Sequence, residues 1–172
     1  GGSAGMFSVV EEGEHPGVRS VSLLETQQPK QMRLLTKQLT SAQSELSFGG
    51  VTTRYEYTEN VETIGDLKID TLLVEQDFPD NPFFPVGDFY MLFFGEEGML
   101  TRLAYTDQHG VQTMGGGLEA MQAVLKRLEQ IPAPTQDAAF NTTRNALSKK
   151  ANLIALVDLP GFLSQAARLV LG

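Results

Sequence analysis

Two histidines, His15 and His109, are the only imidazoles in 172 residues, and both fall in turn sequences, Gly13-Glu14-His15-Pro16-Gly17 and Asp107-Gln108-His109-Gly110. Acids flank each, Glu12 and Glu14 around the first and Asp107 near the second, so loops folded together could hold a cation. Neither histidine stands in His-Glu-x-x-His, and a lone turn histidine is ordinarily just solvated. Cysteine is absent, which excludes a thiol nucleophile, thiolate zinc, iron–sulfur clusters and disulfides. The acidic pairs Glu11-Glu12 and Glu96-Glu97 sit at expected turns or strand ends, where a solvated edge explains them without general acid catalysis.

Gly115-Gly116-Gly117, ahead of an expected helix, could offer amides to a phosphate or carboxylate. The run lacks Gly-x-Gly-x-x-Gly spacing, no lysine adjoins it, and Glu119 in the first turn already complements the helix dipole and repels an anion. A strand-to-helix connection accounts for it better. Leu156 to Gly161 reads as an apolar strand followed by Asp-x-Pro-Gly, the pattern of a GTPase switch segment. No Gly-x-x-x-x-Gly-Lys-Ser/Thr occurs to cradle phosphates, and no Asn/Thr-Lys-x-Asp to read a base, so a capped helix start after a buried strand is preferred. Asn141-Thr142-Thr143 has the spacing of a glycosylation acceptor but lies in an expected helix. With no complete constellation, the expectation is no catalytic residue, no cofactor and no metal, which points away from an enzyme.

One segment departs from this blandness. Phe83, Phe84, Phe89, Tyr90, Phe93 and Phe94 place six of the chain's aromatics within twelve residues, and Pro79, Pro82 and Pro85 break the backbone beside them. Such a cluster is either a lid of core aromatics over a sheet or a hydrophobic surface for an apolar ligand or a partner.

The elements that must position these residues can be read from periodicity. Met6 to Glu12 and Val18 to Glu25 form an expected hairpin. Pro29 suits a first helical turn, and Met32, Leu35, Leu39, Ala42 and Leu46 recur at spacings of three and four, the expected apolar face of a helix ended by Gly49-Gly50. Val51, Thr53, Tyr55 and Tyr57 alternate with Thr52, Arg54 and Glu56, the period of a half-buried strand. Gly65-Asp66 turns into Leu67–Phe78, Phe83–Phe94 leans to a helix, and Met99–Thr106 with Val111–Met114 flank the His109 turn. Leu118, Met121, Val124, Leu125 and Leu128 again have helical spacing. The predicted fold is α+β, an antiparallel sheet of about five strands covered on one face by both helices, an order that resembles cystatin-like folds and the half-barrels of lipoprotein carriers.

Gly1 to Gly5 reads as a tag or linker, residues 6–130 as the sheet-and-helix domain, and Ile131-Pro132-Ala133-Pro134-Thr135 as a boundary that no helix can cross. Residues 137–172 follow as a helix-strand-helix extension, with Leu153–Val157 as the strand and Phe162, Leu163, Ala166, Leu169 and Val170 as the last apolar face. This tail has the look of a truncated repeat whose strand seeks an edge of the sheet or a second chain. Charge divides at the same seam: residues 1–136 carry 9 basic and 19 acidic side chains, residues 137–172 carry 4 and 2. The net charge of −8 argues against a nucleic-acid or anionic-membrane partner. Asp158, Pro160, Gly161 and Arg168 interrupt the apolar C-terminal stretch, so no transmembrane span is expected.

The run Gly98–Tyr105 through Val111–Gly116, with Tyr55-Glu56-Tyr57, the Gly65-Asp66 turn and Leu153–Gly161, resembles uncharacterised envelope proteins of planctomycete-type bacteria. The resemblance implies an exported protein, periplasmic or envelope-bound after loss of a signal peptide, built of repeated α+β units and without catalytic residues. The expected function is therefore a noncatalytic binding or interaction module of the bacterial envelope. The alternative is a carrier holding a lipid or other apolar ligand between sheet and helices. A protein partner, an apolar small molecule or self-association through the C-terminal strand would each fit.

Overall fold

The computed structural model describes residues 4–11, 17–79, 90, 94 and 98–130. Residues 12–16 with His15, Phe83, Phe84, Phe89 and Phe93 of the aromatic run, the proline boundary and the whole 137–172 extension lie outside the described residues.

Seven strands form one antiparallel sheet: β1 (Ala4–Glu11), β2 (Gly17–Glu25), β3 (Glu45–Phe48), β4 (Val51–Ile64), β5 (Leu67–Asp77), β6 (Met99–Tyr105) and β7 (His109–Met114). Their spatial order is β1-β2-β7-β6-β5-β4-β3. Helix α1 (Pro29–Ala42) connects β2 to β3, and α2 (Gly117–Glu129) follows β7. The α+β class and the antiparallel sheet match expectation, with more strands than the five predicted. Two causes account for the difference. The first hairpin joins the main sheet through β2 and β7, where Ser20 to Glu25 pairs with Met114 to His109. The helix stops at Ala42, and Glu45–Phe48 becomes a strand because Gly49 and Gly50, both at positive φ (60° and 84°), close a two-residue hairpin onto Val51. Leu46, expected on the helix, is thus a strand residue. At the other end, β1 starts at Ala4, inside the stretch read as linker, and pairs Ala4 with Leu24 and Gly5 with Leu23.

Both helices were expected on one face, and the register corrects this. Partners across a sheet share a face: Ile69 pairs with Ala104, Ala104 with Val111, and Val111 with Leu23. This row packs with Met121 and Leu125 of α2 into the buried core. Asp70, the next residue along β5, points the opposite way, and its carboxylate is held by Arg33 of α1. The helices therefore cover opposite faces. The cause is legible in β5, where Leu67, Ile69 and Leu73 lie on one face and Leu72 and Val74 on the other, so each face needs cover.

Glycines 115, 116 and 117 all have positive φ, 73°, 73° and 64°, as the chain swings from β7 into α2. A Cβ on Gly115 would stand 2.6 Å from the Val18 carbonyl oxygen, backbone that cannot yield. Gly115→Ala is expected to lower stability by about 2–3 kcal/mol through the left-handed conformation and this clash. Gly65→Ala, at φ 58° with open space around it, should cost only about 1 kcal/mol. Urea denaturation of the two variants checks the contrast.

Candidate functional site

Asp70 is 0% exposed in the middle of the sheet. An isolated buried carboxylate is strongly unfavourable, and this one is satisfied on every side. Arg33 of α1 donates from Nε to Oδ2 at 2.6 Å and from Nη2 to Oδ1 at 2.5 Å, a bidentate fork. The Tyr57 hydroxyl of β4 donates to Oδ2, and the Asn60 backbone N–H donates to Oδ1 at 2.9 Å. That amide is aimed by a bulge: the β4–β5 register shifts between Thr58 and Glu62, and Asn60 adopts φ 56°. Asn60 also accepts from Arg33 Nη2 through its side chain at 3.1 Å, and Lys37 donates to Glu59 one turn further along α1. Tyr105 stands beside Thr36 and Tyr57 with its hydroxyl buried and unpartnered among the described residues.

Burial pushes the Asp70 carboxyl up, but the bonds from Arg33, Tyr57 and the Asn60 amide outweigh it and hold it below its ordinary value. Burial, reinforced by Asp70, pushes the Tyr57 hydroxyl up, and burial does the same to Tyr105. The ion pair with Asp70 keeps Arg33 charged. Arg33, Tyr57 and Asp70 are bonded to one another, which fixes the carboxylate and the helix above it. Their pH signature follows. A carboxyl with a lowered folded pKa contributes its stability in full above about pH 4 and loses it as pH falls through the folded value. Tyrosines with raised folded values contribute below about pH 10 and lose that contribution above it. Urea midpoints at pH 7, 4 and 3 should fall with acidification, and Asp70→Asn should flatten part of that fall.

The network sets how α1 sits. Pro29, Met32, Arg33, Thr36 and Thr40 are its half-buried positions, while Leu34, Leu35 and Leu39 are exposed by 54%, 55% and 59%. At about 100° per residue, the stripe Met32-Leu35-Leu39-Ala42 is turned roughly a quarter of a circle from the side facing the sheet. The expected apolar face is therefore a flank of α1, and the side facing the sheet is polar. Only Met32 belongs to both, its thioether filling the space over Gly110, where a Cβ would come within 2.5 Å of Cε. Arg33 and Lys37 on the opposite flank reach toward the Asn60 bulge, so Leu35 and Leu39 point away from it. The sheet row Leu72-Thr101-Met114-Ser20 shares the α1 face and stays half-buried throughout.

Of the aromatic run, Tyr90 and Phe94 are described. Tyr90 packs on Phe78 and Phe94, with ring centroids 5.9 and 4.9 Å apart, and donates to the Val74 carbonyl at 3.1 Å. It thus closes the end of β5 rather than lying free. On the α2 face, Arg102, 5% exposed, makes a second two-pronged pair with Glu62 at 2.8 and 3.2 Å. His109, expected in the turn, opens β7 opposite Glu25, its amide bonded to the Thr106 hydroxyl, and among the described residues no group of His, Asp or Glu converges on a cation position. Gly1-Gly2-Ser3-Ala4-Gly5 has the Gly-x-Ser-x-Gly spacing of a hydrolase nucleophile, but Ala4 and Gly5 already belong to β1, whereas that motif needs a strand-to-helix turn. Sequence reasoning missed Arg33, Tyr57, Asn60 and Asp70. Their one signal was an acid set in the apolar run Leu67–Val74 with an arginine inside the helix window. No helix among the described residues is long and apolar enough to cross a membrane. No protein-family model, curated protein or solved structure matches the chain.

Proposed function

We propose that the chain is a noncatalytic binding or interaction module of the bacterial envelope, with the apolar flank of α1 as its docking face. The observation that carries this is the inverted helix: charges and hydroxyls fasten α1 to the sheet while Leu35 and Leu39 of its apolar stripe face outward. A helix held by its apolar stripe would have no such surface to offer, and exposed leucines in a group mark an interaction surface. Assignment to the envelope rests on the likeness of the Gly98–Gly116 strands to exported proteins.

A carrier of an apolar ligand is the second reading. It is favoured by the half-buried row Leu72-Thr101-Met114 beside the leucine flank, and opposed by Met32 and the Asp70 network filling the space directly beneath α1. Native mass spectrometry of the purified chain separates the two. An interaction module gives the mass of the polypeptide or its multiples, and a co-purified adduct of lipid size would replace it with the carrier.

A further inference from the structure

The leucine flank of α1 adjoins a strip of sheet that α1 leaves half-covered, floored by Met114, Thr101, Ser20 and Ser22. The small serines let a second helix approach closely there, and Leu35 and Leu39 supply its side wall. Resting on the reading of this flank as a docking face, we infer that its occupant is the chain's own segment 158–171.

Four observations select this segment. It has fourteen residues, the length of α1, so the two would match end to end at about 21 Å. Asp158-Leu159-Pro160 places an acidic cap and a proline where a helix begins, and Phe162, Leu163, Ala166, Leu169 and Val170 fall at i, i+1, i+4, i+7 and i+8, a single apolar stripe. Residues 131–157 separate it from the end of α2, and such a length can extend to roughly 90 Å, whereas a seven-stranded sheet is about 30 Å across. Residues 137–157, which would lead the segment over the sheet, carry 3 basic against 1 acidic side chain, opposite in sign to the 9 against 19 of residues 1–136, while 158–171 carries one of each. Docking in cis would make the tail part of this domain rather than the opening of a second repeat, and a partner using the flank would have to displace it.

The absence of native cysteine gives a clean test in the full chain. Leu35 and Ala166 sit near the middle of their segments, so Leu35→Cys with Ala166→Cys brings thiols together whether the helices run parallel or antiparallel. At micromolar protein, a docked tail has a millimolar effective concentration, so intrachain disulfide should exceed interchain by roughly a hundredfold. Lys126→Cys on α2, across the sheet, paired with Ala166→Cys is the control and should crosslink at least about tenfold more slowly. Predominantly interchain disulfide would assign the flank to a second copy, and crosslinking equal to the control would place the tail elsewhere. Either overturns the inference. The docking face itself fails separately, if Leu35→Glu with Leu39→Glu unfolds the sheet.

Discussion

Arg33→Ala is expected to lower the stability of the chain by about 3–5 kcal/mol, because it leaves a fully buried carboxylate without its counter-ion. The Tyr57 hydroxyl and the Asn60 amide remain, yet neither carries charge, so Asp70 should take up a proton and its pKa rise above the ordinary value. Arg33→Lys should recover only part of the loss, since an ammonium lacks the planar fork that meets both oxygens. Asp70→Ala should cost less than Arg33→Ala, because the Arg33 side chain is 30% exposed and can return to water. Urea denaturation at pH 7 gives the four stabilities, and the order Arg33→Ala worst, Asp70→Ala intermediate, Arg33→Lys mildest checks the geometry. The exposed pairs of Arg54 with Glu45 and Asp77 should contribute far less than the Arg33 pair in the same assay, since water screens them.

Met121→Ala is the second large effect, an expected loss of about 2–5 kcal/mol. Met121 is 0% exposed and is the point where α2 meets Ile69, Ala104 and Val111. Removing its thioether leaves a cavity between a helix and three strands that cannot close without moving one of them. Leu125→Ala, in the same buried cluster but 8% exposed, should cost somewhat less. Leu35→Ala and Leu39→Ala on α1 remove no contact with the sheet and should each cost less than either α2 variant. Thermal melts of the four variants set leucine against methionine and helix against helix. A large loss at Leu35 would mean that α1 packs by its apolar stripe.

These two helices show why part of the fold is legible in the sequence and part is not. The stripe Leu118, Met121, Val124, Leu125 and Leu128 of α2 turns toward the sheet as its periodicity says, because nothing competes with apolar burial there. In α1 the periodicity is equally clear, but a two-pronged ion pair outranks it and rotates the helix about its axis. Periodicity reports that a helix has a stripe, not which surface the stripe meets. Turns were readable where glycine is needed: Gly65-Asp66 joins Ile64 to Leu67 as expected. Gly49-Gly50 was readable as a break and not as a hairpin, because the four-residue strand before it is too short to show a period. Which face each helix covers depends on strand order, set by pairings such as Leu23 with Val111 that are 88 residues apart in the chain. The Asp70 network draws on α1, β4 and β5, and no local spacing links Arg33 to Tyr57 or Asp70.

Polar contacts, not the leucine stripe, hold α1 on the sheet, and amide hydrogen exchange on the full chain reads this out residue by residue. With Leu35→Glu and Leu39→Glu combined, the amides of α1 and of β4 to β7 should exchange within about threefold of the parent rates, since these side chains support nothing beneath them. Arg33→Ala should speed exchange throughout α1 by roughly a hundredfold or more, in keeping with the loss of its main fastening. The reverse pattern, with α1 and the sheet losing protection in the leucine variant and keeping it in Arg33→Ala, would contradict the claim.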